Sequence, residues 1–315
     1  MSLIFSRHNI FSGIPGTNKH FILNLLSGSA DILDNEEVHL LEDLKKDHPV
    51  PKEFYELMAE RGYISDPAEE QRLYRSKYLD FLDDREKEEV QIFFVPDYSC
   101  NFSCSYCYQD EYHQPHSELS QPLIDAFFTH INTQFAVRKK YLTIFGGEPL
   151  LNSHARKSMI GYFLEKSSEA GLEVCVVTNG YALTDYIGIL SKAAIREIQV
   201  TLDGLGAIHD QRRPLKGGGA TFEKIVGGID AALANGFPVN LRMVIDRENI
   251  DALPELARFA IDKGWTANPM FNTQFCRNYE FHHCQTGSEK LISRISLYEA
   301  ITQQIKDHPY ILDFH

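Results

Sequence analysis

From residue 90 onward the sequence alternates between short apolar runs and amphipathic segments of helix length. Strands that alternate with helices form a parallel sheet, because each helix returns the chain across the sheet. The pattern predicts the α/β class, with an open or partial (β/α)6 barrel that lacks two strands of a complete eight-stranded barrel. The expected strands are Ile92–Val95, Leu142–Phe145, Val174–Thr178, Ile198–Leu202, Val239–Ile245 and Met270–Phe275, and the expected helices lie near residues 119–135, 154–170, 184–194, 221–235 and 252–263.

The first 89 residues follow a different pattern and are expected to form a small α+β module with its linker. Apolar residues on both sides of Ser27-Gly28-Ser29 predict a β-hairpin. Residues 1–19 are polar, lack a clear period and are expected to form a loose arm. Helices are expected in residues 35–46, 51–62 and 66–90.

Charge and hydropathy restrict the class of partner. The 315-residue chain has a net charge of −13, and residues 31–90 hold 19 acidic residues against 9 basic ones. A nucleic-acid-binding protein would need a basic surface, so this class is excluded. The acidic segment is either a solvated helical surface or an attraction for a basic peptide. Neither a long apolar run nor a secretory signal is present, so a cytoplasmic protein with no membrane partner is expected.

Three of the six cysteines lie within eight residues, directly after the first expected strand. Cys100, Cys104 and Cys107 have the spacing C-x3-C-x2-C. Clustered cysteines in a chain without a secretory signal indicate a metal site or catalysis. Three thiolates suit an iron–sulfur cluster that keeps one iron open for a ligand. A zinc loop completed by a distant residue such as His113 or His116 remains the alternative.

The segment from Cys100 to Cys107 resembles the signature of the radical S-adenosylmethionine (SAM) superfamily, with Tyr106 as its aromatic residue. The resemblance implies a [4Fe–4S] cluster whose open iron binds the amino and carboxylate groups of SAM. It also implies that an electron from the reduced cluster breaks the sulfur–C5′ bond, and that the resulting 5′-deoxyadenosyl radical takes a hydrogen atom from the substrate. Tyr106 would pack near the adenine and the cluster.

Two further motifs follow the second and third expected strands. Gly146, Gly147 and Glu148 resemble the GGE motif that holds the amino group of SAM in this superfamily. Thr178 and Asn179 resemble a TNG element that borders the SAM pocket. Loops at the carboxyl ends of parallel strands commonly carry the chemistry of such folds, and both motifs occupy such loops.

The fourth strand ends in a motif that resembles one branch of the superfamily, the SPASM-type maturases. Thr201 and Arg213 would face the methionine carboxylate and ribose of SAM, and Arg212 is an alternative to Arg213. A guanidinium suits a carboxylate because it can donate two parallel hydrogen bonds. Asp203 is expected either to touch the substrate or to orient Arg213.

The remaining cysteines and one strand arginine leave alternatives open. Cys175 is expected to be a buried, inert thiol. Cys276 and Cys284 are either early ligands of an auxiliary cluster or free thiols, and two ligands alone cannot complete such a site. Arg242 stands in an apolar strand, where it either pairs with a carboxylate of the barrel or lines the cavity.

The whole pattern predicts an oxidoreductase of the SPASM-type branch, which includes ribosomal peptide maturases and anaerobic sulfatase maturases. The resemblance implies a precursor peptide or protein substrate, an electron donor such as flavodoxin or ferredoxin, and a winged-helix-like peptide-recognition module. A sulfatase-type maturase that oxidises Cys or Ser and a non-catalytic zinc- and peptide-binding protein remain alternatives. The expected domains are a recognition module and linker in 1–89, a radical SAM core in 90–275, and a bridge in 276–315 that is truncated before an auxiliary-cluster domain.

Overall fold

The computed structural model describes residues 3–109, 119–278 and 289–315. The chain divides into two compact units, Met1–Glu88 and Glu89–His315. In the described residues, none of the helices combines the length and apolar character needed to cross a bilayer.

The first unit combines antiparallel strands with three helices. Strand β3 (His20–Asn24) pairs with β2 (Asn9–Gly13) on one side and with β4 (Ala30–Leu33) on the other, and β1 (Ile4–Phe5) pairs with β5 (Ile64–Ser65). The helices that carry Leu41 and Met58 pack on these strands around those buried side chains. The elements are β1 (Ile4–Phe5), β2 (Asn9–Gly13), β3 (His20–Asn24), β4 (Ala30–Leu33), α1 (Asn35–Lys45), α2 (Lys52–Glu60), β5 (Ile64–Ser65) and α3 (Pro67–Lys87).

The hairpin expected around Ser27-Gly28-Ser29 is confirmed as β3 and β4. The loose arm expected in residues 1–19 is wrong, because β1 and β2 lie there. Strand β2 is the partner of β3, with Phe11 opposite Ile22. Its residues are half-buried or exposed, so they lack the apolar run by which a buried strand is recognised.

Over its described ranges, the second unit contains a six-stranded parallel sheet in which each strand neighbours the one before it along the chain. This confirms the expected α/β class with six strands. In the described residues the outer strands of this sheet, Val90–Phe94 and Phe271–Arg277, are not paired with each other. The strands are β6 (Val90–Phe94), β7 (Lys140–Ile144), β8 (Val174–Thr178), β9 (Ile195–Thr201), β10 (Val239–Ile245) and β11 (Phe271–Arg277).

Helices connect these strands close to the expected positions. A short helix after β9, α7, was not anticipated from the sequence, and β11 runs on to Arg277. The helices are α4 (Gln121–Gln134), α5 (His154–Glu169), α6 (Ile187–Leu190), α7 (Gly206–Arg212), α8 (Phe222–Ala234), α9 (Leu253–Asp262) and α10 (Arg294–Asp307), with 3-10 turns at Leu183–Tyr186, Ile250–Ala252 and Pro309–Asp313.

The two faces of this sheet have different roles. Side chains such as Leu142, Val176 and Leu241 belong to the hydrophobic core of the unit. Because successive side chains of a strand point to opposite faces, their neighbours in sequence lie on the other face. That face lines two cavities, and it carries polar residues such as Thr143 and Arg242. The sheet therefore presents one packed face and one open polar face.

Candidate active site

A cavity of about 240 Å³ lies at the carboxyl ends of the parallel strands. It gathers most of the residues that the sequence singled out, from four separate loops. The predicted residues that line it are Cys100, Cys104, Tyr106, Cys107, Gly146, Gly147, Thr178, Asn179, Thr201 and Arg213. Glu148 and Asp203 do not line the cavity and are buried next to it.

The loop of the three cysteines is fixed by backbone hydrogen bonds to the segment after α7. The amide of Ser103 donates to the carbonyl of Pro214, and the amide of Lys216 donates to the carbonyl of Asn101, at 2.9 and 2.8 Å. Phe102 is buried beside this segment. The three thiols are half-buried, and burial raises the pKa of the Cys100 thiol to about 11. The loop thus holds the three thiols on one cavity wall.

Gly146 and Gly147 are required by the backbone of the cysteine loop. A Cβ on Gly147 would lie 2.4 Å from the carbonyl oxygens of both Tyr98 and Ser99. A Cβ on Gly146 would lie 2.5 Å from the carbonyl oxygen of Asp97. Only glycine permits so close an approach of two backbone segments.

Glu148 connects the second and third motifs. Its carboxylate accepts hydrogen bonds from the Thr178 hydroxyl and the Asn179 amide, both at 2.6 Å, and from the Leu150 amide at 2.8 Å. Burial raises the pKa of this carboxyl, while these hydrogen bonds favour its ionised form. Glu148 therefore shapes the loop of Thr178 and Asn179 from behind the cavity wall.

Tyr106 links the cysteine loop to the end of β9. Its hydroxyl donates to a carboxylate oxygen of Asp203 at 2.5 Å and accepts from Nη1 of Arg213 at 2.6 Å. Burial raises the pKa of Tyr106 well above its ordinary value, so the hydroxyl keeps its proton. The buried Nε of Arg213 has no hydrogen-bond partner in the described residues. The contact with Tyr106 holds the Arg213 guanidinium at the cavity wall.

The adjacent Arg212 is engaged elsewhere. Its two terminal nitrogens donate to the two carboxylate oxygens of Asp246, each at 2.9 Å, and its Nε lies 3.5 Å from Asp203. Arg212 is 5% exposed and Asp246 is 1% exposed, so this is a buried ion pair. The geometry therefore favours Arg213 over Arg212 as a ligand for SAM.

Several features of the site were not anticipated from the sequence. Asn101, within the cysteine loop, accepts a hydrogen bond at 2.8 Å from the side-chain amide of Asn179. Arg277 and Asn278 line the cavity from the end of β11. Their position directly after the last strand is the signal that could have identified them, because parallel strands end at one edge.

The remaining cysteines have separate positions. Cys175 is half-buried and lines the second cavity, which corrects the expectation of a fully buried thiol. Its position opposite the core side chain of Val176 explains this, because neighbouring strand residues face opposite ways. The Sγ of Cys276 accepts a hydrogen bond from Nη2 of Arg242 at 2.8 Å. Cys284, His113 and His116 lie outside the described residues.

A family model described as the Radical SAM superfamily matches residues 95–260. This range is more than half of the chain and contains the cysteine loop and the three motifs after it. The chain belongs to the radical SAM superfamily. Membership makes it a radical SAM enzyme and implies a [4Fe–4S] cluster and SAM as cofactors. The alternative of a non-catalytic zinc protein is not favoured.

Curated relatives of this radical SAM protein include GTP 3′,8-cyclases. A probable GTP 3′,8-cyclase of Methanopyrus kandleri is 32% identical over 164 residues, which cover 52% of this chain and 50% of the relative. The GTP 3′,8-cyclase of Rhizobium meliloti is 35% identical over 176 residues, covering 52% of this chain and 46% of the relative. The chain thus spans about half the length of these relatives.

Solved structures share the fold at low sequence identity. The structure of anSMEcpe with bound AdoMet and Cp18Cys peptide superposes with a TM-score of 0.58 at 16% identity, covering 70% of this chain and 59% of that one. The structure of Streptococcus suis SuiB bound to precursor peptide SuiA gives a TM-score of 0.52 at 14% identity, covering 98% of this chain and 71% of that one.

The residues at the cavity fit the cofactors that membership implies. Cys100, Cys104 and Cys107 line one cavity. In the described parts of the chain, no three His, Cys, Asp or Glu side chains converge as ligands of a single metal ion. Three cysteine thiolates on one cavity wall suit a [4Fe–4S] cluster that keeps one iron open for a ligand. The Arg213 guanidinium on the same cavity suits the carboxylate of SAM.

Proposed function

We propose that this protein modifies a peptide or protein substrate by radical chemistry, as a SPASM-type maturase does. The cluster and SAM, when bound, would supply the radical that takes a hydrogen atom from the substrate. The main support for this proposal is that strand β4 lies at the edge of its sheet in the described residues, where an extended peptide could add as a further strand. In this proposal Cys100, Cys104 and Cys107 hold the cluster, while Arg213 orients SAM.

Within the cavity, the protein's own residues would position SAM. Arg213 donates to the SAM carboxylate while Tyr106 keeps its guanidinium in place. Thr178 and Asn179 border the pocket in a conformation that Glu148 fixes. We also assign Thr201, Gly146 and Gly147 to the pocket wall on their position in the cavity. These contacts hold a reactive centre away from bulk water, which is the protein's share of such chemistry.

A peptide-binding role for the first unit is supported by strand β4. In the described residues β4 is the outer strand of its sheet, and Ile32 on it is 62% exposed. An extended peptide can add to such an edge through its backbone, with apolar side chains giving specificity. The excess of acidic residues between positions 31 and 90 would favour a basic peptide.

The comparisons agree with this proposal in part. The similarity to the structure of SuiB bound to precursor peptide SuiA extends over 98% of this chain and so includes the first unit. The structure of anSMEcpe also holds a peptide. The curated relatives are named for acting on GTP, which makes GTP the competing substrate for the experiment.

The test presents the anaerobically reconstituted and reduced protein with SAM and either GTP or a precursor peptide encoded beside the gene. The expected result is peptide-dependent formation of 5′-deoxyadenosine together with a mass change in the peptide. Consumption of GTP with an unchanged peptide would contradict the proposal.

A matched pair of variants tests the peptide site separately. Ile32→Ser on β4 is expected to weaken peptide binding about tenfold, because it removes the apolar contact through which the edge strand would recognise a peptide side chain without changing the charge of the unit. Ile10→Ser on β2, the opposite edge strand, is the control, since Ile10 is also exposed. Equal losses in both variants would argue against β4 as the binding edge.

A further inference from the structure

Arg242 on β10 carries a guanidinium that forms no ion pair with a carboxylate of the described residues. Nη2 donates to the Sγ of Cys276 at 2.8 Å, and Nη1 lies 3.4 Å from the side-chain oxygen of Gln199. Its Nε is buried and has no hydrogen-bond partner in the described residues. Sulfur is a weak acceptor and the glutamine oxygen is neutral, so neither contact balances the charge.

Arg196 is an arginine of the second cavity whose charge is already neutralised. Arg196, which lines the second cavity, lies 2.6 Å from Glu89 and 3.6 Å from Glu173. Partly buried charges are ordinarily paired, because the loss of hydration is costly without a partner. The half-buried Arg242, which forms no ion pair with a described residue, is therefore an exception that needs a ligand.

The position of Arg242 indicates which ligand it would take. It lines both the 240 Å³ cavity and the adjoining cavity of about 450 Å³. SAM has a single carboxylate, and Arg213 lies at the cysteine loop where that carboxylate is proposed to bind. Arg242 lines both cavities, so its positive charge is available to bind an anionic group of a second molecule.

We propose that Arg242 binds an anionic group of the substrate, a carboxylate or a phosphate, and that the adjoining cavity holds the rest of that substrate. The polar side chains of Gln91, Thr143 and Gln199 on the cavity wall offer hydrogen bonds to a polar molecule. The inference deepens the proposed function, on which it rests for the substrate: a peptide would present an acidic side chain or its terminal carboxylate.

The test titrates the reconstituted, SAM-saturated protein with two probes, glutarate and inorganic pyrophosphate, by calorimetry. Saturation with SAM occupies Arg213, so the signal reports a second anion site. Arg242→Gln is expected to weaken the tighter probe about tenfold or more, because charge-assisted hydrogen bonds are lost. Arg242→Lys is expected to bind with intermediate affinity, since it keeps the charge without the fork. Tighter glutarate indicates a carboxylate, and tighter pyrophosphate indicates a phosphate.

The control is Arg258→Gln, which removes an exposed guanidinium that stacks on Tyr310 outside both cavities. It is expected to leave probe affinity unchanged. Cys276→Ser is expected to change the affinity by no more than about twofold, because the guanidinium and not the sulfur is the binding group. Absence of probe binding in the wild type, equal affinities in wild type and Arg242→Gln, or a loss of SAM affinity alone would overturn the inference. Anion binding is measured without any reaction of a peptide. A negative result here would therefore overturn the anion site and leave the proposed peptide modification to its own experiment.

Discussion

The hydroxyl of Tyr106 connects Asp203 to Arg213, with hydrogen bonds of 2.5 and 2.6 Å on its two sides. The superfamily signature asks only for an aromatic residue here, whereas this chain uses the hydroxyl as well. The consequence is that the cysteine loop and the proposed SAM-carboxylate ligand share one buried polar network.

Tyr106→Phe tests that network. The ring stays, so cluster content is expected to be unchanged, but SAM affinity is expected to fall about tenfold because Arg213 loses a charge-assisted hydrogen bond. Calorimetric titration of the reconstituted protein with SAM measures this. Tyr162→Phe is the matched control, since the Tyr162 hydroxyl donates to Asp125 at the surface. Equal SAM affinity in both variants would contradict the role given to the hydroxyl.

Gly147→Ala is expected to prevent the cysteine loop from packing on β7. The added Cβ would lie 2.4 Å from two backbone oxygens, which cannot move aside as a flexible side chain would. Iron and sulfide content after reconstitution is therefore expected to fall to a small fraction of the wild-type value. Gly227→Ala is the control, because a Cβ on Gly227 meets no atom within 4 Å. Full cluster content in Gly147→Ala would show that the close approach is not needed.

Glu148→Gln is expected to destabilise the loop of Thr178 and Asn179. Both carboxylate oxygens of Glu148 accept hydrogen bonds. The NH2 group of a glutamine side chain would face one of those N–H or O–H donors, which leaves a buried donor without an acceptor. The expected loss in the free energy of unfolding is about 2 kcal/mol, measured by urea denaturation. Glu165→Gln changes an exposed ion pair with Lys192 and is expected to have little effect. Equal urea midpoints for the two variants would contradict this account.

His209 gives the protein a pH-dependent stability. Burial, with a smaller contribution from Arg213, lowers the pKa of His209 from 6.5 to about 3. As the pH falls through 6.5, His209 binds a proton in the unfolded chain but not in the folded chain. The free energy of unfolding therefore decreases with falling pH until about pH 3, where the folded chain also binds the proton. For this one group the loss between pH 7 and pH 5 is about 2 kcal/mol.

His209→Gln checks this dependence by difference. Urea denaturation of both proteins at pH 7 and pH 5 cancels the other histidines. The variant is expected to lose less stability than the wild type over that interval. Parallel losses in the two proteins would show that His209 is not held neutral by the fold.

The sheet was predictable because its strands are apolar runs separated by amphipathic helices. The positions of the motif loops were predictable as well, because each motif lies at the carboxyl end of a strand. The choice between Arg212 and Arg213 was not predictable, because it depends on Asp246, which lies in another loop. The sequence also did not predict that Glu148 points away from the cavity, because its partners Thr178 and Asn179 follow the next strand. The direction of the side chains on β11 could be predicted from the sequence, because Cys276 alternates with Phe275, which packs against the core.

In the first unit, helix α1 was predictable from the sequence and strand β2 was not. Helix α1 begins where Asp34 and Glu37 form a reciprocal capping pair, a local signal that the sequence displays. Strand β2 carries no such signal, because its stability comes from pairing with β3 rather than from its own composition.

The central claim is that the three-cysteine loop carries a cluster that cleaves SAM. The direct measurement is anaerobic reconstitution with iron and sulfide, followed by reduction in the presence of SAM and chromatography for 5′-deoxyadenosine. We expect 5′-deoxyadenosine from the wild type and none from Cys104→Ala, with Gly227→Ala, outside both cavities, as the control that retains activity. Protein that takes up zinc but no iron under these conditions, or equal product from Cys104→Ala, would contradict the account.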